Sequence, residues 1–208
     1  MTRRTLAVVS GGLRVPSSTR LLADRLAEAT GAALARRQVE VETHVVELRD
    51  HGHDVVNHLS TGYPSESLKA ALDAVAAADG VITVTPIFNA SYSGLFKSFF
   101  DVLGDQALVG RPVLIAATGG TARHSLALEH AMRPMFSYLR AIVVPTAVFA
   151  APEDWGSGDP QASLHSRISR AADELAEEIN RRGPATVADP FALTTSFDQL
   201  LNGGPAGQ

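Results

Sequence analysis

Cysteine is absent from all 208 residues, which excludes a disulfide framework, a thiolate metal centre and a cysteine nucleophile. A basic excess is also missing: 22 acids outnumber 18 Lys and Arg, for a formal charge of −4. The chain therefore offers neither a nucleic-acid-binding surface nor a polybasic membrane anchor. No apolar stretch approaches the roughly 20 residues of a membrane span. The run Leu6 to Val9 behind Arg3-Arg4 is too short for a signal segment and is cut off by Ser10-Gly11-Gly12. A cytoplasmic protein is expected. Internal repeats and low-complexity linkers are lacking too, so one domain over residues 1–184 is expected, followed by a tail over 185–208 in which Phe197, Leu200 and Leu201 could dock a short turn.

What is present is an alternation of brief apolar runs with helical periodicity. Leu6 to Val9 reads as a buried strand, and Ser17-Ser18 can cap a helix carrying Leu21, Leu22, Leu26, Ala29 and Ala33. Val39 to Leu48 alternates as an edge strand does. Asp50 to Gly62 shows no firm period, and Pro64-Ser65-Glu66 then opens a helix through Ala78. Val81 to Thr85 is the third strand, ended by Pro86 for want of a backbone N–H. A helix from Ser93 to Leu103, a strand from Val113 to Thr118, a helix from Ala122 to Leu139 interrupted at Pro134, and a strand from Ala141 to Val148 follow. Asp159-Pro160 starts a last helix that runs to about Arg182. Strands apolar on both faces, alternating with helices, imply a parallel sheet covered on both sides. Five such units fit a flavodoxin-like three-layer sandwich with strand order 2-1-3-4-5, whose ligands bind beyond the carboxyl ends of the strands where the winding reverses.

Three loops reach that reversal: residues 10–19, 86–93 and 118–125. The helices after them begin Ser18-Thr19-Arg20, Ser93-Gly94-Leu95 and Ala122-Arg123-His124, with no acid in the first turn, whereas the other two begin with Glu66 and Asp159. An anionic ligand could stand in for the missing acids. Ser10, Ser17, Ser18 and Thr19, with Arg14 and Arg20, have the composition of a phosphate cradle, and equally of an ordinary serine-capped helix. Neither the Walker sequence nor the dinucleotide fingerprint is present. Pro86 to Gly94 suits either a flat ring with polar edges or a simple turn, and the paired glycines Gly119-Gly120 allow close backbone approach. Asp50-His51-Gly52-His53-Asp54 with His58 reads as a solvated or ligand-covering segment rather than a metal site. Ser125 beside His124 or His130 lacks a nucleophile elbow. Met132, Met135, Phe136 and Leu139 fit core or a subunit interface. Phe96, Phe99 and Phe100 add more apolar surface than one sheet face needs, which suggests self-association.

Together, Pro86-Ile87-Phe88-Asn89-Ala90-Ser91-Tyr92-Ser93-Gly94-Leu95-Phe96-Lys97 and Thr118-Gly119-Gly120 through Pro134 resemble the flavin loop and the following loop and helix of the NADPH-dependent FMN reductase family. The second stretch is similar to the reductase components of two-component alkanesulfonate monooxygenases. The resemblance implies FMN, reduced by NADPH or NADH at flavin N5, a flavin-dependent monooxygenase as partner, and assembly of this chain as a homodimer or homotetramer. It also implies that Ser10, Arg14, Ser17, Ser18 and Thr19 hold the FMN phosphate. Pro86, Ile87, Phe88, Asn89 and Ser91 would line the ring, with Thr118, Gly119 and Gly120 completing the pocket. No protein side chain need be catalytic, because the flavin carries the chemistry. Arg14, Arg20 and Arg123 are candidates for a nicotinamide 2′-phosphate. Phe88 stands where relatives often have Tyr, Asn89 where some have Lys, and His130 where an aromatic residue can lie at the subunit interface. The alternatives are an FMN-containing quinone or azo reductase, which differs in its electron acceptor, and a flavodoxin-type electron carrier with no nicotinamide site.

Overall fold

The computed structural model of the chain describes residues 2–155 and 163–185. Asp159-Pro160 and the tail residues Phe197, Leu200 and Leu201 lie outside the described residues. Strands β1 (Thr2–Ser10), β2 (Val39–Glu47), β3 (Gly80–Phe88), β4 (Ser91–Tyr92), β5 (Pro112–Thr118), β6 (Ile142–Val143) and β7 (Val148–Ala150) alternate with helices α1 (Ser18–Arg36), α2 (Gly52–Thr61), α3 (Glu66–Ala77), α4 (Gly94–Asp101), α5 (Arg133–Tyr138) and α6 (Leu164–Arg181). The sheet order is β2-β1-β3-β5-β6, with β7 also beside β5 and β4 beside β3. All pairings are parallel except β3 with β4. This is the expected 2-1-3-4-5 winding with two modifications. The fifth strand is divided into β6 and β7: the pairing with β5 shifts from Val113 opposite Val143 to Ala116 opposite Val148, and Thr146 between them gives its N–H and hydroxyl to Glu174, at 2.7 Å each, instead of to the ladder. A short antiparallel hairpin extends β3.

Side-chain alternation along the strands sorts the core into two layers. Leu6, Val8, Ile82, Val84, Leu114 and Ala116 face α1 and α6, while Ala7, Val9, Val81, Val113 and Ile115 face α2 to α5. On the second face Phe96, Phe99, Phe100 and Phe136 are buried against one another. Phe100 contacts Phe96 at 4.9 Å, Phe136 at 5.0 Å and Phe99 at 5.4 Å between centroids, with steep interplanar angles that suit aromatic quadrupoles. Met132 joins them at zero exposure. The surplus apolar surface expected to mediate self-association is thus consumed inside one chain.

Three further expectations change. Strand β3 passes through Pro86 to Phe88. Val84 turns its carbonyl toward β1 and accepts from the Gly11 N–H at 2.8 Å; two residues on, the Pro86 nitrogen falls on the same side, where β1 has already ended at Ser10 opposite Val84. The missing donor therefore costs no ladder bond. Residues 52–61 form a helix although only Val55 in it is fully buried. Between residues 122 and 138 there is no single helix: a one-turn segment Ala122–His124, a π-helical segment Leu128–Met132 and α5 follow one another. Pro134 lies within the unbroken run formed by the π segment and α5, directly after the Arg133 N–H bonds to the Leu128 carbonyl, so the interruption expected there takes the form of a change from π to α winding.

The β3–β4 hairpin pairs Phe88 with Ser91 across Asn89 (φ 50°) and Ala90 (φ 69°). Two central residues with positive φ make a type I′ turn, which matches strand twist and favours Asn followed by Gly. Asn89 suits its place, but Ala90 carries a Cβ where glycine is preferred. Ala90→Gly is expected to raise unfolding stability by about 0.5–1 kcal/mol, read as a higher urea midpoint at unchanged slope.

Candidate functional site at the carboxyl edge of the sheet

The site is organised by the first turn of α1. Ser17 caps the helix, its hydroxyl accepting from the Arg20 N–H at 3.2 Å. Two further side chains of the turn, Thr19 and Arg20, tie it to the sheet in opposite directions. The Thr19 hydroxyl, buried, shares a 2.8 Å hydrogen bond with the Thr118 hydroxyl at the end of β5. Arg20 reaches the other way, to Glu47 at the end of β2, and also donates from Nε to Asp24 at 2.7 Å. Asp24, and after it Glu47, raises the guanidinium pKa above its ordinary value, against the opposing effect of burial. The helix N-terminus is held over the gap between β1 and β3, where the strand order reverses.

The approach to that turn is narrow. A Cβ on Gly12 would lie 2.2 Å from the Ser17 hydroxyl oxygen, and one on Gly11 would lie 3.3 Å from the Val84 carbonyl and 3.4 Å from Pro86. The Gly12 position admits a side chain only if Ser17 shifts, whereas at Gly11 the fit is merely tight. Ser10, fully buried at the end of β1, has a hydroxyl with no hydrogen-bond partner, an arrangement that costs free energy unless something else satisfies it. Ser18 is exposed at the start of the helix and Arg14 lies exposed in the loop. Unpartnered hydroxyl, helix dipole and close-packed glycines suit a phosphate group.

Across the gap, Phe88 stands next to the turn of the hairpin with 47% of its surface exposed, beside half-buried Ile87 and Ser91 and exposed Asn89. Behind it, Ser93 is fixed twice: its N–H donates to the Thr85 hydroxyl at 3.1 Å, and its own hydroxyl caps α4 by accepting from the Phe96 N–H. The aromatic cluster beneath α4 thereby sets the height of the hairpin. On the third side, the Gly119 N–H donates to the Ala150 carbonyl at 3.1 Å. It is therefore committed to the sheet, and only the Gly120 amide of this pair is left to face a ligand.

The structure brings the 10–19, 86–91 and 118–120 segments together, through β1, β3 and β5 in register: Ser10 opposite Val84 and Pro86 opposite Thr118. It revises the argument from helix starts. The Ala122–His124 segment is a single turn, and Glu153 supplies an acid to the Ala122 N–H at 3.4 Å. Helix α6 starts at Leu164, capped by Ser163, and has no acid in its first turn either. Arg20 is engaged by two carboxylates and is not a free cation. Asp54 accepts from the Ser65 and Ser67 hydroxyls at 2.6 and 3.2 Å, joining α2 to the start of α3; the Ser65 bond leads in lowering its pKa. Among the described residues no group of three His, Asp or Glu side chains is placed to hold a metal. A separate groove of about 450 Å³ between α1 and α6, lined by Arg25, Glu28, Arg36 and His165 among others, contains none of the loop residues.

Sequence reasoning missed Glu47 and Arg49. Glu47, with a side chain only 10% exposed, binds Arg20 and also accepts from Arg49 at 3.2 Å, and Arg49 in turn donates to the Arg14 carbonyl in the loop at 3.2 Å. The available clue was an acid closing an alternating strand on its inward face, between Val46 and Leu48.

Comparison with known proteins places these features in context. The sequence model of the NADPH-dependent FMN reductase family matches residues 4–156. An FMN reductase (NADPH) of Pseudomonas aeruginosa is 36% identical over 175 residues, 82% of this chain and 90% of that protein. The NADH-dependent FMN reductase SfnF of Pseudomonas fluorescens is 37% identical over 177 residues, 83% of this chain and 91% of its own. Among solved structures, an oxidoreductase from Corynebacterium diphtheriae superposes with a TM-score of 0.84 at 46% identity, covering 88% of this chain and 100% of that one.

The two glycines after Thr118 should respond differently to a methyl group. A Cβ on Gly119 would lie 2.7 Å from the buried Phe149 ring, whereas Gly120 has nothing within 4 Å. Gly119→Ala should lower unfolding stability by about 1–3 kcal/mol, while Gly120→Ala should stay within about 0.5 kcal/mol; thermal unfolding of the two variants side by side checks this.

Proposed function

The chain belongs to the NADPH-dependent FMN reductase family, and on that premise we propose that it reduces FMN with NADPH or NADH at the carboxyl edge of the sheet. The observation that carries the reading is the start of α1: a helix N-terminus fixed to the sheet on both sides, with the buried, unpartnered Ser10 hydroxyl beneath it. Ser10, Arg14, Ser17, Ser18 and Thr19 would receive the phosphate. The Thr19 hydroxyl contributes through its shared bond with Thr118, since two hydroxyls joined by one hydrogen bond retain a second proton to donate. Pro86, Ile87, Phe88, Asn89 and Ser91 would line one side of the ring, and Thr118, Gly119 and Gly120 the other.

FMN, when bound, supplies the hydride acceptor, so the protein's task is binding, orientation and electrostatics. The exposed Phe88 ring offers a flat apolar surface without a hydroxyl, which allows packing but no phenolic proton transfer. The Gly120 amide supplies a donor that stabilises negative charge developing on the ring edge. Exposed Arg123 lies on the same rim as Thr118 to Gly120 and suits a nucleotide phosphate. Delivery of reduced flavin to a monooxygenase completes the reading; the FMN reductase relatives support the reduction, and the open position of Phe88 supports transfer. Assembly as a homodimer or homotetramer belongs to the same proposal, supported by Leu126 and Tyr138, which are 63% and 86% exposed on the segment after Gly120.

Anaerobic mixing of the protein with FMN and either nicotinamide nucleotide should bleach the flavin absorbance with turnover; no bleaching by either nucleotide overturns the assignment. Ser10→Ala and Ser17→Ala should each raise the KM for FMN by about 10-fold, the effect of losing a hydrogen bond to a charged group, with kcat changed much less. Steady-state kinetics at varied FMN reads both parameters.

A further inference from the structure

Glu47 makes no contact assigned above to the flavin; it anchors the first turn of α1 through Arg20, and its carboxylate is the hub of the cationic groups around the phosphate loop. It lies opposite Ser10 in the β1–β2 register, and residues paired in a parallel ladder share a sheet face. Its Oε1 accepts from both Arg20 and Arg49; its Oε2 is buried and without a hydrogen-bond partner. Two unpartnered buried oxygens, Glu47 Oε2 and Ser10 Oγ, therefore lie on neighbouring strand ends beneath the first turn of α1. The charges around them nearly cancel. Asp24 takes the Arg20 Nε at 2.7 Å and Asp50 lies 3.7 Å from the Arg49 Nε, so neither arginine presents uncompensated charge to the loop.

We propose that Glu47 weakens the hold on the flavin phosphate, by occupying Arg20 and Arg49 and by placing a like charge beside the cradle, so that FMN exchanges as a substrate instead of being retained. This rests on the FMN reading given above. A phosphate at the start of α1 feels the Glu47 carboxylate as repulsion and draws on guanidinium groups that Glu47 already holds. Gln at this position keeps the shape and one acceptor oxygen but removes the charge, which abolishes the repulsion and loosens Glu47's share of the hold on Arg20 and Arg49, while Asp24 and Asp50 keep theirs.

The test is equilibrium titration of native protein, Glu47→Gln and Glu47→Asp with FMN and with riboflavin, which has the same ring and no phosphate, read by flavin fluorescence. Glu47→Gln should lower the FMN Kd about tenfold, as expected for removing one like charge at a partly solvated site, and slow FMN release in stopped flow. Riboflavin affinity should stay within about twofold, and the FMN gain should shrink as salt is raised. Glu47→Asp, which keeps the charge, should bind FMN as the native protein does. An unchanged or raised FMN Kd in Glu47→Gln overturns the proposal, as does parallel loss of FMN and riboflavin binding in both variants, which marks a purely structural role. Native protein that binds neither flavin overturns the FMN reading together with this one, whereas normal flavin binding without a Gln effect overturns this one alone.

Discussion

Everything at the carboxyl edge depends on how the first turn of α1 is held. Thr19 fastens it to β5 and Arg20 fastens it to β2, so a single helical turn spans the sheet from its outer strand to the far side of β3. A capped helix alone would place donors near the strand ends but would not fix their direction. The two lateral ties do so, and they do it with side chains adjacent in sequence, which point to different sides of the helix by its geometry of about 3.6 residues per turn. Gly11 and Gly12 then bring the chain into the turn without a Cβ in the way.

The opposite wall is built by packing instead of hydrogen bonding. Phe96, Phe99, Phe100 and Phe136 form a rigid block under α4, and Ser93 joins that block to β3 through Thr85. Phe88 is thereby presented on a hairpin whose stem is fixed while its tip carries backbone strain at Ala90. One wall is polar and set by directional bonds, the other apolar and set by shape. That division suits a ligand with a charged end and a flat end, which is what the family's flavin has.

The winding of the sheet was legible in the sequence because each parallel strand is a short apolar run bounded by turn residues, and the three loops followed from that order. The parts that escaped have identifiable causes. Helix α2 buries only Val55, so its apolar period is too faint to register. The segment from Ala122 to Tyr138 has helical composition throughout, but composition does not distinguish a one-turn, a π and an α segment, and it does not show that the break expected at Pro134 is a switch from π to α winding. Phe96 and its neighbours suggested an interface because a sequence shows how much apolar surface exists, not that aromatic rings will satisfy each other. Glu47 was missed for a related reason: its meaning comes from Arg20 and Arg49, which meet it only in three dimensions.

Pro86 has a consequence for solubility. Beyond Ser10, strand β3 overruns β1, and its last residues Ile87 and Phe88 are paired with Tyr92 and Ser91 of β4, so the step at Pro86 is the part of that edge where another chain could try to pair. Proline at that position withholds the donor such an intruder would need. A residue that looked like a strand terminator thus closes the short gap between the end of β1 and the start of the β4 pairing to edge-to-edge aggregation.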